Sequence, residues 1–175
     1  MTDADKVKIA FMTFTILIVL VHIFSAFGTV AGMIGREVTS AQLARASDLR
    51  TFLALSQLTG RFDQRLVQPA SMVLFVSGIV LAVLEGYPLL GFLQGGAVNW
   101  LLAANVLVLS IVALIVLVFV PRGRQYAEVL QEAETRGEIT PTLRATLSDP
   151  VVVWAHRWEN LAVGLVIFLM VVKPF

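Results

Sequence analysis

Residues 9–35 read IAFMTFTILIVLVHIFSAFGTVAGMIG, 27 positions without one charged side chain. As a helix rising 1.5 Å per residue this stretch is about 40 Å long, more than the roughly 30 Å hydrocarbon core of a bilayer. Three further apolar runs, 66–84, 98–120 and 150–172, meet or approach the required length. The whole chain agrees: 58% of its 175 residues are hydrophobic, 14% are charged and the mean hydropathy is +0.85, beyond ordinary soluble domains. The expected fold is all-α, a polytopic membrane protein. One integral membrane domain over 1–175 forms a four-transmembrane-helix bundle, with spans at about 9–35, 66–84, 98–120 and 150–172.

Working outward from these runs, basic residues gather in two of the connections. Arg36, Arg45, Arg50, Arg61 and Arg65 lie between the first and second runs, and Arg122, Arg124, Arg136 and Arg144 between the third and fourth. The connection 85–100 has no Lys or Arg. The positive-inside rule then puts both basic segments in the cytoplasm and the N and C termini outside. An all-helical apolar chain of this kind belongs in a plasma (inner) membrane, multi-pass, with the lipid bilayer as its first partner.

The basic segments carry short cytoplasmic helical extensions. Leu43, Leu49, Phe52, Leu53 and Leu55, spaced among Arg45, Asp48 and Arg50, predict a helix at the membrane surface within 40–59. Residues 125–134 read as a helix closed by Gly137, Thr140-Pro141 opens a short segment, and Ser148-Asp149-Pro150 is a helix start for the last span. Pro69 is expected in the first turn of the second span and Pro121 at the inner end of the third.

Several chemistries are excluded. Without cysteine there is no disulfide, thiolate metal site, haem-attachment sequence or cysteine nucleophile. A net charge of +1, with Arg mixed among Asp and Glu in the loops, gives no footprint for nucleic acid. No Gly-x-Ser-x-Gly, His-Glu-x-x-His or phosphate-cradling glycine loop occurs, so no catalytic residue is assigned and the reading leans away from an enzyme. No metal site is assigned either, because two histidines at different depths and one carboxylate make a poor ligand set.

Polar side chains inside apolar runs are where function is sought first. They are His22, Asn105, His156, Arg157, Glu159 and Asn160. Thr15, His22, Ser25 and Thr29 share one helical face, which should look into the bundle. Counted at 1.5 Å per residue, His22 is about 21 Å from Arg36, Asn105 about 25 Å from Arg122, Glu159 about 15 Å and His156 about 10 Å from Asp149. The expectation is an interior polar cluster of His22, Asn105, Glu159 and Asn160, a candidate cofactor-binding site. The cofactor considered is haem b, with His22 as its candidate ligand; the depth offset argues against His156 as the second one. Arg157, Arg122 and Arg65 are the basic partners considered for Glu159. His156 is read as an interfacial residue. Gly28 and Gly32 form a small-xxx-small pattern, read as close helix packing or a homo-oligomer face. Three functional readings stay open: a redox or cofactor-binding module, a small permease or ion-handling protein, and a membrane scaffold or assembly subunit.

Three stretches carry a resemblance: Phe168, Met170, Val171, Lys173 and Pro174 near the end, DQRLVQPASMVLFVSG over 63–78, and Val120-Pro121-Arg122. In these the chain resembles the bacterial predicted integral membrane proteins called domain of unknown function twenty-two sixty-nine, which implies four spans. The stretch from His22 to Gly32, HIFSAFGTVAG, is more loosely similar to copper-resistance D-like and HemJ-type membrane proteins. Thr29 stands where the HemJ type has Trp. That likeness implies His22 as the position to test.

Overall fold

A computed structural model describes residues 2–174. It is all-α, with seven α-helices: α1 (Asp3–Leu43), α2 (Leu49–Phe62), α3 (Gln68–Leu84), α4 (Trp100–Leu114), α5 (Val120–Arg136), α6 (Pro141–Leu147) and α7 (Pro150–Val172). Four helical stretches are long and apolar enough to cross a membrane: α1, α2 running into α3, α4 running into α5, and α6 with α7. The expected cap residues do their work at the polar ends. Asp48, Thr140 and Asp149 each accept a backbone N–H from the first turn they open, and Gly137 closes α5 at φ 73°.

Pro69 falls in the first turn of α3, as expected, and Pro121 in the first turn of α5, where the third apolar run ends; at both the helix is continuous with the one before it, from Leu49 to Leu84 and from Trp100 to Arg136. Each proline lacks an N–H, and its ring crowds the carbonyl four residues back. In both places the chain answers with a π turn just upstream, Asp63–Val67 and Ile115–Phe119. There the N–H of Gln68 reaches the carbonyl of Asp63 and that of Val120 the carbonyl of Ile115, five residues back. Each π turn ends two residues before its proline. The helix expected within 40–59 is α2, which buries Phe52 against Leu43, Ala133 and Leu143 and leads directly into the second long helix.

Two helix pairs form, α1 against α3 and α4 against α7. Gly28 and Gly32 permit the first. A methyl on Gly32 would stand 2.7 Å from Val67 Cγ2, and one on Gly28 3.2 Å from Ala70 Cβ. The small-residue face thus gives close packing within the chain.

Each end of the bundle has its own core. At the end that carries the arginines, Leu43, Ala46, Phe52, Ala133 and Leu143 cluster, and Ser56 and Tyr126 share a 2.8 Å hydrogen bond from α2 to α5. Burial pushes the Tyr126 phenol above its ordinary value, with the Ser56 bond acting the other way, so the ring keeps its proton at neutral pH. At the opposite end Ala82, Trp100, Leu101, Ala104 and Leu169 cluster. There Lys173 ends α7 in the left-handed region at φ 46°, its ammonium 5.4 Å from the ring centres of both Tyr87 and Trp100.

Candidate functional site: a buried charge cluster

The stripe of α1 buried in the bundle is Thr29, Gly32, Met33, Arg36, Thr39 and Leu43, steps of three and four apart from the adjacent Gly32 and Met33. Arg36 therefore lies on the packing face and is 5% exposed, although it stands at the boundary of the apolar run. Its Nη2 donates to Glu159 Oε2 at 2.7 Å and its Nη1 to Asp63 Oδ1 at 3.1 Å. Glu37 Oε1 is 3.9 Å from Nη2. The Arg36 Nε is buried with no hydrogen-bond partner.

Glu159 is 6% exposed, a carboxylate removed from water and held by charge-assisted bonds. His156, one turn earlier on α7, places Nδ1 3.2 Å from the same Oε2 and keeps about a third of its side chain exposed. Its ring stacks on Phe119 with centroids 4.5 Å apart. The two π turns thus supply the site directly: one presents Asp63 to Arg36, the other presents Phe119 to His156. Local i→i+5 turns are found disproportionately at functional sites. Beside the charges, Thr59 donates to Thr39 at 3.0 Å, and Thr39 donates back to the α1 carbonyls of Gly35 and Arg36.

The four residues expected to share one interior cluster have three addresses. Glu159 and Asn160 both reach α1, Asn160 through a 3.2 Å bond from its Nδ2 to Glu37 Oε1. Asn105 donates instead to the carbonyl of Leu89 at 2.8 Å and pins the connection between α3 and α4. His22 joins α1 to α3: its Nδ1 is 3.0 Å from Ser77 Oγ, and its Cε1 would be 3.1 Å from a methyl on Gly78. Ser77 has one hydroxyl proton, which lies toward the Val73 carbonyl at 2.7 Å, so the imidazole N–H is the donor to Ser77.

The stripe Thr15, His22, Ser25 and Thr29 does face inward, with Thr29 buried and the other three half-buried. The partner of Glu159 is Arg36 and none of Arg157, Arg122 or Arg65; Arg122 pairs with Asp149 at 2.6 Å. The haem reading is not supported. His22 is seated on Ser77 and Gly78, His156 is engaged by Glu159 and Phe119, and the two lie on different helix pairs. Among the described residues no group of three or more His, Asp and Glu side chains converges as a metal site.

Arg36, Asp63 and Phe119 are the site residues that sequence reasoning missed. A signal existed for Arg36: it continues Gly28 and Gly32 at a spacing of four, which aims it at the same neighbour. Comparison with protein families matches residues 16–174 to the family described as predicted integral membrane protein (DUF2269). Neither curated proteins nor solved structures give a match.

Proposed function

The chain belongs to the DUF2269 family of predicted integral membrane proteins, and on that premise we propose that it is a small ion-handling protein of permease type. We place it in a bacterial inner membrane, with the arginine-rich end in the cytoplasm. The observation that carries this reading is the buried Arg36–Glu159 pair, with the partly exposed Asp63 as a second carboxylate on the same guanidinium. A buried carboxylate can balance its charge with a proton, and intramembrane ionisable residues recur in proton relays.

His156 provides the entry. Its exposed edge takes a proton from water on Nε2, and Nδ1 passes its own proton to Glu159 Oε2, so the imidazole ends neutral and the carboxyl protonated. A neutral Glu159 holds Arg36 less strongly, and Arg36 then rests on Asp63, which stands at the start of the α3 side of the molecule. Proton uptake in this way loosens the polar tie between the α1–α3 pair and the α4–α7 pair. The test is proton flux into liposomes containing the purified chain and a trapped pH dye. Flux in wild type that falls to the leak of empty vesicles in Glu159→Gln supports the reading, and equal flux in both refutes it.

A scaffold reading draws on a separate observation: no residue in the most apolar stretch of α1 is buried, and Phe24 and Phe27 are 71% and 68% exposed. That face offers itself to another membrane helix as readily as to lipid. Crosslinking in native membranes tests it; a chain found only as a partner-free monomer would discard it.

A further inference from the structure

A second site lies between α1 and α7, beside the tie that Arg36 makes to Glu159. The two helices leave a groove of about 330 Å³ there, within the range of about 300–1,000 Å³ in which small-ligand pockets fall. Val30, Met33 and Ile34 of α1 and Val163 and Ile167 of α7 form its apolar walls. Gly164 makes the room, for a methyl on it would meet nothing within 4 Å. From Glu37 and Asn160, at the end nearer the arginines, the groove follows each helix for about 10 Å, to Val30 on one and Ile167 on the other.

The polar lining is confined to that one end, and what it has to spare is acceptors. Asn160 donates Nδ2 to Glu37 Oε1 at 3.2 Å, which leaves its own Oδ1 and the Glu37 Oε2 without a hydrogen bond among the described residues. The cation beside them is committed elsewhere: Arg36 Nη2 is 3.9 Å from Glu37 Oε1, beyond hydrogen-bond distance, and donates to Glu159 at 2.7 Å. A carboxylate oxygen and an amide carbonyl free at one end of an apolar groove suit a donor that carries positive charge and an apolar tail. A phosphate-bearing head would set like charge against Glu37. A bare metal ion would find too few oxygens and nothing to gain from the walls.

We propose that this groove binds an amphiphilic organic ammonium ion, its N–H groups donating to Glu37 Oε2 and Asn160 Oδ1 and its alkyl tail lying past Gly164 toward Val30 and Ile167. A charge-assisted bond of this kind is worth about ten-fold in affinity over an uncharged head. The proposal does not rest on the proton route, since neither His156 nor Glu159 lines the groove.

The experiment measures binding of radiolabelled decylammonium at equilibrium, without a pH gradient, to the full chain in phosphatidylcholine nanodiscs, with empty nanodiscs subtracted for partition into lipid. The expected result is a single saturable site per chain, for which unlabelled decylammonium competes about ten-fold better than decanol. In Glu37→Gln, which keeps an acceptor for Asn160, the two should compete equally. Gly164→Leu, whose side chain fills the groove, should remove the saturable site. Absence of saturable binding above empty nanodiscs would mean that lipid fills the groove and would overturn the proposal. So would a preference for the cation that survives Glu37→Gln, or a site that survives Gly164→Leu. The Glu37 side chain is 47% exposed and Gly164 has no neighbour within 4 Å, so both variants keep the fold, which unchanged far-ultraviolet helicity verifies.

Discussion

Arg36→Met should be among the most damaging single substitutions in this chain, and the reason is Glu159 more than Arg36. Removing the guanidinium strands two carboxylates, but they are not equally exposed. The Asp63 side chain is 34% exposed and rehydrates, so its pair contributes about 0–1 kcal/mol. The Glu159 side chain is 8% exposed and keeps only His156, so the cost of an unpaired buried charge, about 3–5 kcal/mol, falls on it. Glu159→Leu is milder, because Arg36 retains Asp63. In the Glu159→Leu background Arg36→Met should then cost only about 1 kcal/mol, which leaves a coupling of about 2–4 kcal/mol between the two sites. The assay is unfolding by dodecyl sulfate in bicelles of fixed composition, followed by helicity for wild type, both single variants and the double variant. Effects that add within about 0.5 kcal/mol, or an Arg36→Met protein as stable as wild type, would refute the account of Glu159 as a carboxylate dependent on Arg36.

Four further outcomes are expected. Gly32→Ala should destabilise the chain by about 1–3 kcal/mol in the same unfolding assay, because the new methyl meets Val67 Cγ2 at 2.7 Å and Val67 N at 3.2 Å. Gly164→Ala, with nothing within 4 Å, should be neutral or gain up to about 1 kcal/mol of helix propensity. Protein purified after expression with ample haem precursor should show no Soret band, since His22 is committed to Ser77 and Gly78; a band lost in His22→Ala would reverse that conclusion. Lys173→Asn keeps a residue that tolerates the left-handed cap and removes the cation from Tyr87 and Trp100. It should lower stability by about 0.5–1 kcal/mol and shift Trp100 emission, and an unaltered spectrum would deny the contact.

What the sequence displayed and what it concealed divide along one physical line. Length and apolarity need no tertiary knowledge, so the four long helices were legible, as were the caps at Thr140, Asp149 and Gly137. Pro69 and Pro121 were legible as the positions where the second span opens and the third apolar run ends; the π turns that join each to the helix before it were not, because they absorb the missing N–H without a mark in composition. The inward face of Thr15, His22, Ser25 and Thr29 was visible as a period; the partner of His22, 55 residues away at Ser77, was not.

Arg36 shows most clearly why. Counting charges for orientation treats every arginine at the end of an apolar run as solvated, and that reading assigned Arg36 to a loop. Periodicity says otherwise, for Gly28, Gly32 and Arg36 share one face, and small residues on a face are there so that a neighbour can come close. The two rules conflict at this residue alone among those flanking the first span, and a conflict between local rules marks a place where packing or function has overridden one of them. What neither rule could supply was the identity of the acids, since Asp63 depends on the π turn before Pro69 and Glu159 lies 123 residues further along the chain. An arginine that closes a small-residue stripe in a membrane helix is better read as a buried charge in search of a carboxylate on another helix than as a marker of the cytoplasm.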